Sequence, residues 1–141
     1  MTSTIPQPRT AQKPQNSHRL PRAAAVRVLA RVLTDREPLD EAISRTAAEQ
    51  NLTPQQRAWL QEVCSGTLRW RGRLEMILDA SALKKKPSGW LRRVLILGIY
   101  QVIAQDRVNP GAVVSETVSE IRRKEGDAPS RFANAVLRKI A

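Results

Sequence analysis

Leu91-Arg92-Arg93-Val94-Leu95-Ile96-Leu97-Gly98-Ile99-Tyr100-Gln101-Val102-Ile103-Ala104 is the stretch whose reading decides the fold. From Val94 to Gln105 it carries no charge, and its apolar residues cover nearly every helical direction. A surface helix shows an apolar stripe, whereas a helix that is apolar all round is buried. The run falls far short of the ~20 residues that a membrane span requires. Lys84-Lys85-Lys86-Pro87 precede it, and Asp106-Arg107-Val108-Asn109-Pro110 stop it. The pattern predicts a central core helix that the rest of the chain wraps.

Working outward, both flanks carry the stripes of amphipathic helices. Upstream, Ala25, Val28, Leu29, Val32 and Leu33 define one face, with Arg27 and Arg31 on the opposite side. Leu39, Ala42, Ile43, Thr46 and Ala47 define a second. A third helix has a clear start, with Thr53 as N-cap, Pro54 in the first turn and Gln56 completing a capping box. Its buried face is expected to hold Trp59 or Leu60, then Val63, Cys64, Thr67 and Leu68. Gly66 inside it costs about 1 kcal/mol relative to Ala, which points to a neighbouring helix approaching closely there. A further stripe, Leu74, Ile77 and Leu78, resumes after a bend or restart near Gly72. Downstream, Asn109-Pro110 reads as N-cap and first-turn proline, followed by Val113 or Val114, Thr117, Val118 and Ile121. Gly126 ends that helix, Asp127 to Ser130 supply the next cap, and Ala133, Val136, Leu137 and Ile140 form the last stripe. Phe132 lies at the edge of that stripe, where its ring would be partly exposed.

Residues 1–18 hold Thr, Ser, Pro and Gln with scattered basic residues and little to bury. They read as a disordered tail, leaving 19–141 as one helical domain. Charge then narrows the function. Lys and Arg number 24 against 13 Asp and Glu, a formal net charge of +11. Such an excess suits a polyanionic partner, nucleic acid or an acidic membrane surface. No strongly amphipathic membrane helix is evident, which favours nucleic acid. Arg69, Arg71 and Arg73 alternate with Trp70 and Gly72, and such a run could grip phosphates and stack on a base. The plainer alternative is a solvated turn with a half-buried indole.

Catalytic signals are missing. No strand alternation, Gly-rich phosphate loop, metal-ligand spacing or pair of carboxylates placed for acid–base work stands out. Glu116 and Glu120, four apart, read as solvated helix surface. Cys64 is the single cysteine and falls in a core stripe, where it serves as a small hydrophobe. It can form no disulfide within the chain, which fits a reducing, cytoplasmic setting, and no secretory signal opens the sequence. The residues alone therefore describe an all-α bundle of about seven helices with a basic exterior.

Three segments taken together add a resemblance. They are Leu60-Gln61-Glu62-Val63-Cys64-Ser65-Gly66-Thr67-Leu68-Arg69; Leu97-Gly98-Ile99-Tyr100-Gln101 with Arg107-Val108-Asn109-Pro110-Gly111-Ala112 and Glu116-Thr117-Val118; and Phe132-Ala133-Asn134-Ala135-Val136-Leu137-Arg138. Their order and spacing resemble the NusB family over roughly Arg19 to Ala141. Within it they look most like the NusB-like N-terminal domain of the RsmB/Sun (Fmu) methyltransferases, which methylate C5 of a cytosine in small-subunit ribosomal RNA.

The resemblance implies two small helical subdomains around the buried helix, and binding to RNA. In the antitermination branch of the family an arginine-rich N-terminal segment and an aromatic near the last helix contact RNA. The matching positions are Arg19, Arg22 and Arg27 for the first and Phe132 for the second. The dense arginine run of that branch is thinned here by Leu20, Pro21 and Ala23. The expected RNA set is thus Arg19, Arg22, Arg27, Arg69, Arg71, Arg73 and Phe132. No catalytic residue, metal or cofactor is expected, because the chain holds no S-adenosylmethionine-binding Rossmann unit and neither cysteine motif of that enzyme class. The leading expectation is an RNA-recognition module acting with a catalytic methyltransferase domain in cis. A free-standing antitermination factor that binds RNA with a ribosomal protein is the runner-up. A protein-interaction module whose charge serves solubility is the third.

Overall fold

Helix boundaries follow from local chemistry. In the computed structural model, which describes residues 14–82, 84–105 and 108–141, with side chains from Pro21 onward, seven helices follow one another. They are α1 (Pro14–Leu33), α2 (Leu39–Glu49), α3 (Pro54–Arg69), α4 (Arg71–Ser81), α5 (Gly89–Ala104), α6 (Pro110–Glu125) and α7 (Asp127–Ile140). The Thr53 capping box forms in full. Its hydroxyl accepts from Gln56 N at 3.1 Å, and the Gln56 amide oxygen accepts from Thr53 N at 2.9 Å. Asn109 caps α6 by accepting from Ala112 N at 3.2 Å, and Pro110 fills the first turn, where its missing N–H costs nothing.

Three local expectations change. The tail was expected to run to residue 18, but α1 reaches back to Pro14 and continues through Pro21, whose nitrogen cannot donate to the helix. The break after α3 falls at Trp70 rather than Gly72. Trp70 is at once the last cap of α3 and the first of α4, with its N–H donating to the Gly66 carbonyl and its own carbonyl accepting from Leu74 N. Between α6 and α7 the cap is Gly126 itself (φ 92°), a backbone conformation that glycine adopts freely. Ser130 is buried and donates its hydroxyl to the Asp127 carbonyl instead. The segment 1–13, Arg107 and the Arg19 side chain lie outside the described residues.

α5 is the central helix. All eight residues from Val94 to Gln101 are buried, and α5 packs against α1, α3, α4, α6 and α7. One group, α1–α3, closes one side, with α2 held by α1 and α3. The other group, α4, α6 and α7, closes the rest. Leu95, Ile96, Leu97 and Ile99 are each about fully shielded. Burying four such side chains contributes roughly 6–12 kcal/mol, comparable to the whole net stability of a domain. Among the described residues no helix is long and apolar enough to cross a membrane.

Gly66 meets its predicted neighbour. A Cβ built there would overlap the Tyr100 ring and hydroxyl, with Cε1 only 2.6 Å away. Gly98 on α5 likewise faces Thr117 Oγ1 of α6, 3.3 Å from where a Cβ would sit. Gly66→Ala gains about 1 kcal/mol of helix propensity but overpacks the α3–α5 seam, which costs about 1–3 kcal/mol or more. The variant should be destabilised in chemical denaturation. The loss should shrink when Tyr100→Leu is made in the same chain, because the two changes share one contact. Additive losses would show that the ring is not what excludes a side chain at Gly66.

Candidate nucleic-acid interface

The predicted residues part company in three dimensions. Arg22 lies in the core, 3% exposed, with each of its three guanidinium nitrogens donating to a protein partner. It donates to the Gln101 side-chain carbonyl on α5, to Thr117 Oγ1 (2.8 Å) and to Glu120 Oε1 (3.3 Å) on α6. The expectation of a phosphate contact there is corrected: Arg22 ties α1 to α5 and α6. Glu120 is corrected with it, since its side chain is only 12% exposed and paired. Arg31 also turns inward, donating to Thr46 Oγ1 at 2.6 Å and to both Glu49 carboxylate oxygens at 2.9 Å. That hydrogen bond holds the Glu49 carboxyl below its usual range despite some opposing desolvation. Cys64 is buried, its thiol pushed up to about 12 by desolvation, so it is no nucleophile.

Among the described residues, two basic surfaces carry an aromatic ring beside their cations. The first is the α3–α4 joint. Trp70 is 38% exposed there, and the Arg73 guanidinium lies over its ring, 5.6 Å from the centroid. Arg69 is exposed and, like Arg73, has no carboxylate partner among the described residues. Arg71 is engaged by Glu75 at 2.7 Å, an exposed i,i+4 pair. Glu75 and Asp79 together also receive Arg92 from α5, at 2.8 and 2.9 Å. So Arg92 is neutralised while Arg69 and Arg73 are not.

The second surface went unseen in the sequence. A cleft of about 490 Å³ opens between α1, α5 and α6. Its floor is Ala23, Val26 and Ala30, and its walls carry Arg27, Trp90, Arg93, Glu120, Arg123 and Lys124. The Lys124 ammonium sits 5.2 Å from the Trp90 ring centroid. These four cations run from position 27 to position 124, and nothing in the linear pattern groups them; only the packing of three helices does. Of the predicted residues whose side chains are described, Arg27 alone lines it. Phe132 stands apart on α7, partly buried against the core.

Residues 19–141 match the sequence profile of the NusB family. The chain belongs to the NusB family. Among its relatives, the ribosomal RNA small subunit methyltransferase B of Vibrio vulnificus (strain YJ016) is 37% identical over 121 residues. That match takes in 83% of this chain but 27% of the relative, so the NusB domain described here spans about a quarter of that protein's length. Two solved structures share the fold. The crystal structure of the antitermination factors NusB and NusE in complex with dsRNA superposes with a TM-score of 0.78 at 21% identity, covering 89% of this chain and 96% of that one. The crystal structure of a plectonemic RNA supercoil gives 0.79 at 20% identity, over 88% and 93%. All-α architecture and the wrapped central helix are therefore those of a NusB domain. The segments that carried the resemblance turn out to be its seams, since Gly66 and Tyr100 interlock, and Gly98, Gln101 and Thr117 meet around Arg22.

Removing the Arg22 guanidinium strands a half-buried carboxylate, and breaking a buried pair in this way costs about 3–5 kcal/mol. Arg22→Met should show that loss in urea denaturation, and a second change, Glu120→Gln, should recover part of it. A near-silent Arg22→Met would refute the structural role.

The Arg92 cluster supplies a pH test. Burial raises the Glu75 carboxyl, but the Arg92 and Arg71 hydrogen bonds and charges outweigh it, and the net position is below the usual 4.5. Asp79 is held below its usual 3.8, chiefly by its hydrogen bond from Arg92. Depressed carboxylates stabilise the fold above their unfolded values and lose that contribution as the pH falls through the folded ones. The stability gap between the native protein and Arg92→Gln should be constant from neutral pH down to about 4.5 and narrow below it. A gap that persists unchanged in acid would mean the carboxylates are not involved.

Proposed function

We propose that this domain binds RNA and serves as the ribosomal-RNA-recognition module of a cytosine-C5 methyltransferase. The observation that carries this reading is the 37% identity to a ribosomal RNA methyltransferase across nearly the whole bundle. The basic exterior supports it. Arg69 and Arg73 flank an exposed indole, an arrangement that suits phosphate contact beside base stacking. Arg71 adds charge beside that joint, Arg19 and Arg27 are retained as candidate contacts from the first helix, and Phe132 offers a ring near the last helix. Arg22 is left out of the set because its donors are occupied in the core.

Methyl transfer itself belongs, in this reading, to a catalytic domain working with this one, and the chain is expected to act without a cofactor of its own in the bacterial cytoplasm. The antitermination reading, with RNA held together with a ribosomal protein, keeps some support from the fold shared with NusB in its complex with NusE and dsRNA. The higher identity to the methyltransferase favours the first.

Phosphate contacts release counterions, so affinity for a small-subunit ribosomal RNA fragment should fall steeply as salt rises. Arg69→Gln and Arg73→Gln should each weaken binding and flatten the plot of log K against log salt by about one unit. Phe132→Ala should cost about 1–3 kcal/mol of binding with little change of slope, since stacking carries no net charge. Because Phe132 also packs against the core, its melting is measured alongside. RNA binding that is absent, or indifferent to salt, would overturn the proposal.

A further inference from the structure

The cleft between α1, α5 and α6 is lined by residues other than those of the α3–α4 joint and shares only Arg27 with the candidate contacts just named. We infer that it holds one nucleotide of single-stranded RNA, with phosphates on Arg27, Arg93 and Arg123 and the base against Trp90. The inference rests on the RNA reading and adds to it a second, separate place of contact.

Four cations line the cleft and no free carboxylate opposes them. Glu120 is present in the wall, but Arg22 pairs with it from the core side, so it does not offset the others. Buried Arg22 thus acts on the site by neutralising its one acid. None of Arg27, Arg93, Arg123 or Lys124 has an ion-pair partner among the described residues. Arg93 carries the sharper signal. Its Nε is shielded from solvent yet has no hydrogen-bond partner among the described residues. A donor in that state carries a desolvation penalty, so turning it toward an oxyanion gives up no existing bond. Guanidinium groups suit phosphate, which accepts two parallel hydrogen bonds.

The remaining walls suit a base. A cationic groove with an aromatic ring is the arrangement that binds single strands, because every base has a π-face. Trp90 supplies the ring and Ala23, Val26 and Ala30 an apolar floor. Lys124 covers the ring in the free protein, and its flexible stem can swing away to a phosphate. At about 490 Å³ the space matches pockets for ligands of nucleotide size. Double-stranded RNA is read along its wide minor groove, by shape, and presents no splayed base to such a recess. An acidic peptide would satisfy the arginines but leave the ring and the apolar floor unused.

The test uses the whole chain, a 12-nucleotide single-stranded RNA and the same RNA annealed to its complement. Affinity is read by anisotropy across a salt series, and indole quenching is read in parallel. Arg93→Gln/Arg123→Gln should bind the single strand at least roughly 10-fold more weakly and flatten its salt slope by about 1.4 units, at an unchanged melting temperature. Lys84→Gln/Lys85→Gln, exposed and outside the cleft, is the charge-matched control and should lose less. Single-stranded RNA should quench the native protein more than it quenches Trp90→Phe, and the duplex should produce no Trp90-dependent quench. If RNA binds with a normal salt slope but the Arg93/Arg123 variant matches the control and the quench survives in Trp90→Phe, the cleft assignment is wrong while the RNA reading stands. If no salt-dependent RNA binding occurs, both fall. Trp90-dependent quenching by polyglutamate but not by RNA would overturn the assignment in favour of an acidic protein partner.

Discussion

Burying a helix on every side requires its neighbours to come close, and here two glycines permit that. Gly66 on α3 leaves room for the Tyr100 ring of α5, and Gly98 on α5 leaves room for Thr117 of α6. Where a side chain would have held two helices apart, backbone meets ring or hydroxyl instead. Each approach brings polar groups inside, and buried polar groups must be bonded. Arg22 meets that requirement at the second seam, serving Gln101, Thr117 and Glu120 at once. The cost of desolvating its charge is offset by partners from two helices, so the core tolerates a guanidinium at its centre.

Arginine is thus used in two opposed ways. Arg22, Arg31 and Arg92 are structural, each clamped to acceptors contributed by other helices. Arg27, Arg69, Arg73, Arg93 and Arg123 have no carboxylate partners among the described residues and give the domain its external field. A net charge of +11 would suggest a uniformly basic ball. Pairing removes some of those charges from the surface, and among those left unpaired two groups stand beside an aromatic ring, at the α3–α4 joint and in the α1/α5/α6 cleft. Both carry an indole. Trp70 and Trp90 each sit beneath a cation, Arg73 and Lys124, so ring and charge are already juxtaposed before any ligand arrives.

Much of the fold was legible because helices are local objects. Apolar residues at helical spacing, the Thr53-Gln56 box and Asn109-Pro110 act within a few residues, and each appeared where the pattern put it. The uncharged run from Val94 to Gln105 named the central helix for the same reason. Gly66 announced a close neighbour but not which one; that it is Tyr100 depends on how α3 crosses α5. The joint at Trp70 was displaced from Gly72 because an ordinary residue can close one helix and open the next when both sets of backbone bonds are met.

The sequence by itself determined the helices, the buried one among them, and the sign of the charge, since composition and periodicity need no partner to be read; the family followed from the resemblance of three ordered segments. It could not tell a structural arginine from a free one. Arg22, Arg27 and Arg31 lie within ten residues on one helix, and the stripe alone assigns Arg27 and Arg31 to the outside. Tertiary packing buried Arg22 and Arg31 and left Arg27 exposed, because only there did acceptors on α2, α5 and α6 come within reach. The cleft was decided in the same way. Arg27, Trp90, Arg93 and Arg123 belong to three helices far apart in the chain, and no spacing rule joins them until those helices pack.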